Sequence, residues 1–139
     1  MWNYYADKMQ DQLTSTALDA SEEQALMLAT IIGTSGMTKA PANLEKLIIT
    51  LSQQFDRDIV VMDTKKIILA DTVPLSIGAK YTLDEANEVQ KTIEDGKTRR
   101  FIERSSDYPG GISQVVVALR ESDHAIIGAL ILSTSHTNN

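Results

Sequence analysis

Residues 2–32 carry neither glycine nor proline and are rich in Ala, Leu, Met, Gln, Glu and Asp. Such a run reads as one long helix, on the order of 45 Å at 1.5 Å per residue. Its apolar residues are spread unevenly. They are sparse at the start (Trp2, Tyr5, Met9, Leu13) and dense at the end (Leu18, Ala25, Leu26, Leu28, Ala29, Ile31, Ile32). That gradient suits a stalk that docks onto a domain only at its far end. Ser21-Glu22-Glu23-Gln24 resembles a capping box, which allows a break near Ala20.

Gly33-Thr34-Ser35-Gly36 stops the helix. A second helix begins around Lys39-Ala40-Pro41, where proline suits the first turn. Its stripe of Leu44, Leu47, Ile48, Leu51 and Phe55 recurs at helical spacing. The period then changes from 3.6 to 2. Residues 58–63 and 66–71 read as two strands of a hairpin turning at Thr64-Lys65. An irregular stretch, residues 73–80, leads to a short helix over 83–94 that Asp95-Gly96 closes. Strands follow over 98–104, 111–120 and 124–133, with turns at 105–110 and 121–123. Five mostly antiparallel strands with flanking helices make an α+β domain. The expected division is a stalk helix over residues 1–33 and a domain over 34–139, forming one structural unit.

The bulk properties narrow the function. Apolar residues make up 42% of the 139, enough for a core and too many for disorder. Aromatics are only 5%, so aliphatic side chains must fill that core. A net charge of -6 repels phosphate backbones, which argues against a nucleic-acid partner. The chain has no cysteine and only two histidines, His124 and His136, so thiolate chemistry and a histidine-based zinc site are not expected. No phosphate loop, dinucleotide-binding glycine turn or nucleophile elbow occurs. Neither an enzyme nor a cofactor is expected. No stretch approaches the roughly 20 apolar residues of a membrane helix.

From residue 59 to 133 the chain resembles the single-Cache (PDC, PAS-like) sensor domains of bacterial histidine kinases and related receptors. The first match is Ile59-Val60-Val61-Met62-Asp63 with Lys66-Ile67-Ile68-Leu69-Ala70-Asp71. Pro74, Ile77 and Gly78 match a loop motif, and Thr92-Ile93-Glu94-Asp95-Gly96-Lys97 a helix end. Val115-Val116-Val117-Ala118-Leu119 with Ile126-Ile127-Gly128-Ala129-Leu130 matches the closing strand pair. Ala118 stands where many relatives have proline. The family also sets a long helix before the sheet.

The resemblance implies a PAS-like five-stranded sheet and a ligand held between it and the segment that crosses it, here residues 72–97. It implies an extracytoplasmic, non-catalytic sensor module of a membrane-bound receptor, with a two-component histidine kinase as the expected parent. The membrane segments would then lie outside this chain. A homodimer would form through the N-terminal helix, by way of Leu13, Ala17, Ala20 and Met27.

A small polar or anionic ligand, such as an organic acid or an amino acid, is the expected partner. Arg99, Arg100 and Arg104 cluster in an otherwise acidic chain. Strand alternation puts Arg100 and Arg104 on one side with Ile102, and Arg99 on the other with Phe101 and Glu103. An arginine in a pocket holds a carboxylate through two parallel bonds, and the resemblance favours Arg100. The plainer alternative makes these arginines surface charges paired with Glu103 or Asp107. Tyr108 is a candidate hydroxyl donor and Asp107 a candidate acceptor for a ligand amine, although Pro109-Gly110 also suit a turn. Either Ser113 or Gln114 must face the pocket, and Tyr81 is a candidate lid. The competing class is a roadblock- or longin-like interaction and dimerisation domain without a ligand, which a sealed core behind the crossing segment would favour.

Overall fold

The computed structural model describes residues 4–72, 76–106 and 108–134, with side chains from residue 16 onward. Helix α1 spans Tyr4–Thr34 without a break, and a 3-10 turn at Met37–Lys39 leads into α2, Pro41–Phe55. Strands β1 (Ile59–Asp63) and β2 (Ile68–Asp71) precede α3 (Glu88–Asp95). Strands β3 (Arg99–Ser105), β4 (Tyr108–Arg120) and β5 (Ile126–Ser133) complete the chain. The five strands form one sheet in the order β2-β1-β5-β4-β3, with every pairing antiparallel.

Both faces of the sheet are covered, which explains the near-continuous apolar runs in β4 and β5. On one face Val115, Val117, Leu119, Leu130 and Leu132 pack against Ala25, Leu28, Ala29 and Ile32 of α1 and Leu44 and Ile48 of α2. On the other face Met62, Ile68, Val116, Ala129 and Ile131 meet Val89 and Ile93 of α3 and Tyr81 of the crossing segment. Each fully buried aliphatic side chain contributes roughly 1.5–3 kcal/mol by leaving water. Ser21, at the proposed break, is buried instead within a continuous α1, its hydroxyl bonded to Ala17 O and meeting the Arg57 guanidinium.

The β1–β2 turn is held by Asp63, whose Oδ1 accepts from the N–H groups of Lys65 (2.8 Å) and Ile67 (3.0 Å). Lys66 sits in that turn at φ 65°. Strands β2 and β5 each start two residues later than expected, at Ile68 and Ile126, and two other boundaries differ for clear reasons. Helix α3 starts at Glu88, later than residue 83, because Asp84 is drawn inward to Lys66 and Asn87 is left-handed (φ 58°). Strand β4 starts at Tyr108, so Pro109 and Gly110 lie in a strand rather than in a turn. The register Ser105↔Tyr108 carries the β3–β4 pairing to the end of β3.

Candidate ligand pocket

The crossing segment is bound to the edge of β2 by backbone. Ile68 N–H donates to Ala79 O (2.9 Å), Gly78 N–H to Ile68 O (2.9 Å) and Tyr81 N–H to Lys66 O (2.8 Å). Deeper anchoring comes from Lys66 Nζ, 2.8 and 3.1 Å from the two Asp84 carboxylate oxygens. Asp84 Oδ2 also accepts the Val89 N–H (2.9 Å), tying the segment to the start of α3.

Between this segment and the sheet lies a cavity of about 200 Å³. Its floor includes Val60, Ile68, Asp71, Glu103 and Gln114, and its roof includes Ala79, Tyr81 and Leu83. Asp58, Ser76, Lys80, Thr82 and Tyr108 complete the rim. An apolar body with a few placed polar groups is the usual form of a small-molecule site.

The polar groups come from distant parts of the chain. Asp58 immediately precedes β1, and its N–H donates to Ser133 Oγ of β5 (2.7 Å). Its carboxylate accepts from the hydroxyls of Tyr108 and of Thr72 (3.3 Å to the latter). Asp71 ends β2, and its N–H donates to Glu45 Oε1 of α2 (2.8 Å).

Glu103 is buried on β3, where its Oε1 accepts from Tyr81 Oη (2.8 Å) and Gln114 Nε2 (3.2 Å). Its Oε2 accepts from Ser105 Oγ (3.0 Å). The Tyr81 ring meets Phe101 edge-on at 6.4 Å. Burial, and then the charge and hydrogen bond of Glu103, push the Tyr81 hydroxyl well above its ordinary pKa. Gln114 Oε1 is buried without a hydrogen-bond partner.

Of the residues expected at the site, Tyr81 and Tyr108 line this cavity. Arg100 is directed to the opposite face of the sheet, where its guanidinium bonds Asp19 (2.6 Å) and Glu22 (2.7 Å) of α1. Arg99 forms a two-pronged pair with Asp95 at the end of α3 (2.7 and 2.6 Å). That bond from Arg99, with help from the Lys97 N–H, holds the Asp95 carboxyl below the usual carboxylate range. Arg104 is exposed on β3, beside Gly111. Arg99 and Arg100 therefore pair with acids on helices rather than with Glu103. Ser113 registers with Ile102 on the α1 face, so Gln114 is the member of that pair that reaches the pocket. Asp107 lies outside the described residues.

The sequence reading did not single out Asp58, Asp71 or Glu103 as site residues. The signal for Glu103 was present in the alternation of β3, which puts it on the side of Phe101 and away from Arg100 and Arg104. Among the described residues no cluster of acids and histidines is arranged to hold a metal, and no helix is long and apolar enough to cross a membrane.

No family model matches the chain, and no curated protein matches it by sequence. Solved structures do match. The sensor domain of E. coli DcuS superposes with a TM-score of 0.66 at 17% identity, covering 86% of this chain and 92% of that one. The sensor domain of the V. cholerae histidine kinase DctB gives 0.74 at 10% identity, covering 94% of this chain and 53% of that one. A methyl-accepting chemotaxis protein X structure gives 0.63 at 12% identity, covering 93% and 59%. The chain thus spans nearly all of the first domain and little more than half of the other two. Its fold is the PAS-like α+β fold of such sensor domains.

Proposed function

We propose that this chain is the ligand-binding sensor module of a membrane-bound signalling receptor, with a histidine kinase as the parent. The observation that carries the reading is the cavity between the crossing segment and the sheet, lined by polar groups from β2, β3 and β4. A roadblock- or longin-like domain has no use for such a chamber. The shared fold with sensor domains supports the reading but does not fix the ligand.

In this reading the module lies outside the cytoplasm and its membrane segments flank the chain. A small polar ligand entering the cavity would contact the crossing segment and the strands at once, and so favour one arrangement of the two over another. Helix α1, packed on β4 and β5, would carry the difference outward. Its Leu26, Met27 and Ile31 are about half exposed and are the residues that a second copy would meet in a dimeric receptor.

Thermal-shift screening of the purified chain against organic acids, amino acids and amines tests the proposal. At least one class should raise the melting temperature in a saturable, concentration-dependent way. Val60→Trp, which fills the cavity floor, should abolish that response while the variant still melts cooperatively. Absence of any stabilising small molecule would overturn the sensor reading and leave the interaction-domain alternative.

A further inference from the structure

We propose that the pocket accepts a small organic cation, seating an alkylammonium group between the Glu103 carboxylate and the side-chain carbonyl of Gln114. This rests on the sensor reading and gives it a ligand class.

The argument begins with charge. The lining carries three carboxylates, Asp58, Asp71 and Glu103, against one ammonium, that of Lys80. Lys80 is exposed at the rim. Lys66, which anchors the segment, is committed to Asp84 and is not part of the lining. Arg99 and Arg100 are committed to Asp95 and to Asp19 with Glu22. Among the described residues the lining thus offers a carboxylate-bearing ligand no arginine.

Glu103 sharpens the case. It is 5% exposed, and the donors it meets are neutral: the hydroxyls of Tyr81 and Ser105 and the amide of Gln114. Hydrogen bonds orient a buried carboxylate, but neutral donors leave its charge uncompensated, which is costly in a medium that screens poorly.

An independent observation comes from Gln114, itself 3% exposed. Its amide orientation is set by the Nε2–Glu103 bond, because the reverse orientation would face two acceptors toward each other. That leaves Oε1 as a buried acceptor without a donor, lining the same cavity. An ammonium supplies what both groups lack, a positive charge for Glu103 and an N–H for Gln114. A carboxylate supplies neither.

The test uses calorimetric titration and thermal shift on the chain at constant ionic strength, with ethanolamine and 1,4-diaminobutane as cations, succinate and acetate as anions, and magnesium and calcium chloride as inorganic controls. The amines should bind saturably at millimolar concentration or below. Glu103→Gln and, separately, Gln114→Met should each weaken amine binding by about tenfold or more, and Arg100→Ala should leave it unchanged. The two pocket variants act on different atoms, so one remains informative should the other fail to fold. Saturable binding of succinate or acetate, lost in Val60→Trp, with no amine binding would overturn the cation assignment and leave the sensor reading standing. Stabilisation by magnesium or calcium without the amines would overturn it equally. No binding from any class would remove both.

Discussion

The Lys66 ammonium and the Asp84 carboxylate meet at 2.8 Å with both side chains almost sealed from water. One belongs to the β1–β2 turn and the other to the crossing segment, so a single ion pair joins the roof of the cavity to the sheet. Removing one partner strands a charge in the interior, which costs about 3–5 kcal/mol. Asp84→Asn should lower unfolding free energy by that order, even though the amide can still accept the Val89 N–H. The double variant Lys66→Met with Asp84→Asn should recover much of the loss. Urea denaturation of the parent, the Asp84→Asn variant and the double variant checks this, and an Asp84→Asn protein as stable as the parent would refute it.

Arg100 offers the opposite case. Its pairs with Asp19 and Glu22 lie at the surface, where such contacts are worth no more than about 1 kcal/mol and are screened by salt. Arg100→Ala should cost little stability in low salt and almost none at high salt. It should also leave small-molecule binding intact, since the side chain lies across the sheet from the cavity. Melting temperatures at two ionic strengths, with a ligand titration, check both statements.

Tyr81 should give stability an alkaline limit. Its folded-state pKa is raised by burial and then by Glu103, so the folded chain keeps the proton where the unfolded chain releases it. The stabilisation is complete below the unfolded value of about 10 and declines as pH rises above it. Tyr81→Phe should flatten the fall in denaturation midpoint between about pH 9 and pH 11. At neutral pH it should cost about 1–3 kcal/mol, because Glu103 loses a donor.

Gly33 lies in the last turn of α1, and an alanine in a helix is ordinarily better than glycine by about 1 kcal/mol. Here a Cβ would sit 2.3 Å from the carbonyl oxygen of Arg120. The sign should reverse, and Gly33→Ala should destabilise the chain by forcing α1 away from β4. A Gly33→Ala protein more stable than the parent would show that α1 and β4 do not approach so closely.

The elements were largely legible because each has a clear period. The apolar stripe of α2 and the alternation in β3 follow from local spacing, and the two-sided burial of β4 appears as an unbroken Val115-Val116-Val117 run. The start of α3 was not legible, since residues 83–87 have helical composition and only the long-range pull of Lys66 on Asp84 unwinds them. The site was legible in part. Alternation separates Arg100 from Glu103 correctly, but with both faces of the sheet covered it cannot say which face holds a cavity. Asp58, Asp71, Glu103 and Gln114 are brought together only by the strand order β2-β1-β5-β4-β3, which no local pattern encodes.

The backbone bonds from Gly78, Ala79 and Tyr81 to the β2 border bear on self-association. A sheet with an open margin invites a strand from another molecule, the usual first step toward aggregates. On the β2 side that margin is already occupied by the chain itself. A visiting strand would have to enter along β3, past the exposed charge of Arg104, which disfavours such an addition. The segment that roofs the cavity therefore also protects the protein from fibrous growth on that side, and an occupant that displaced it entirely would uncover a sticky edge.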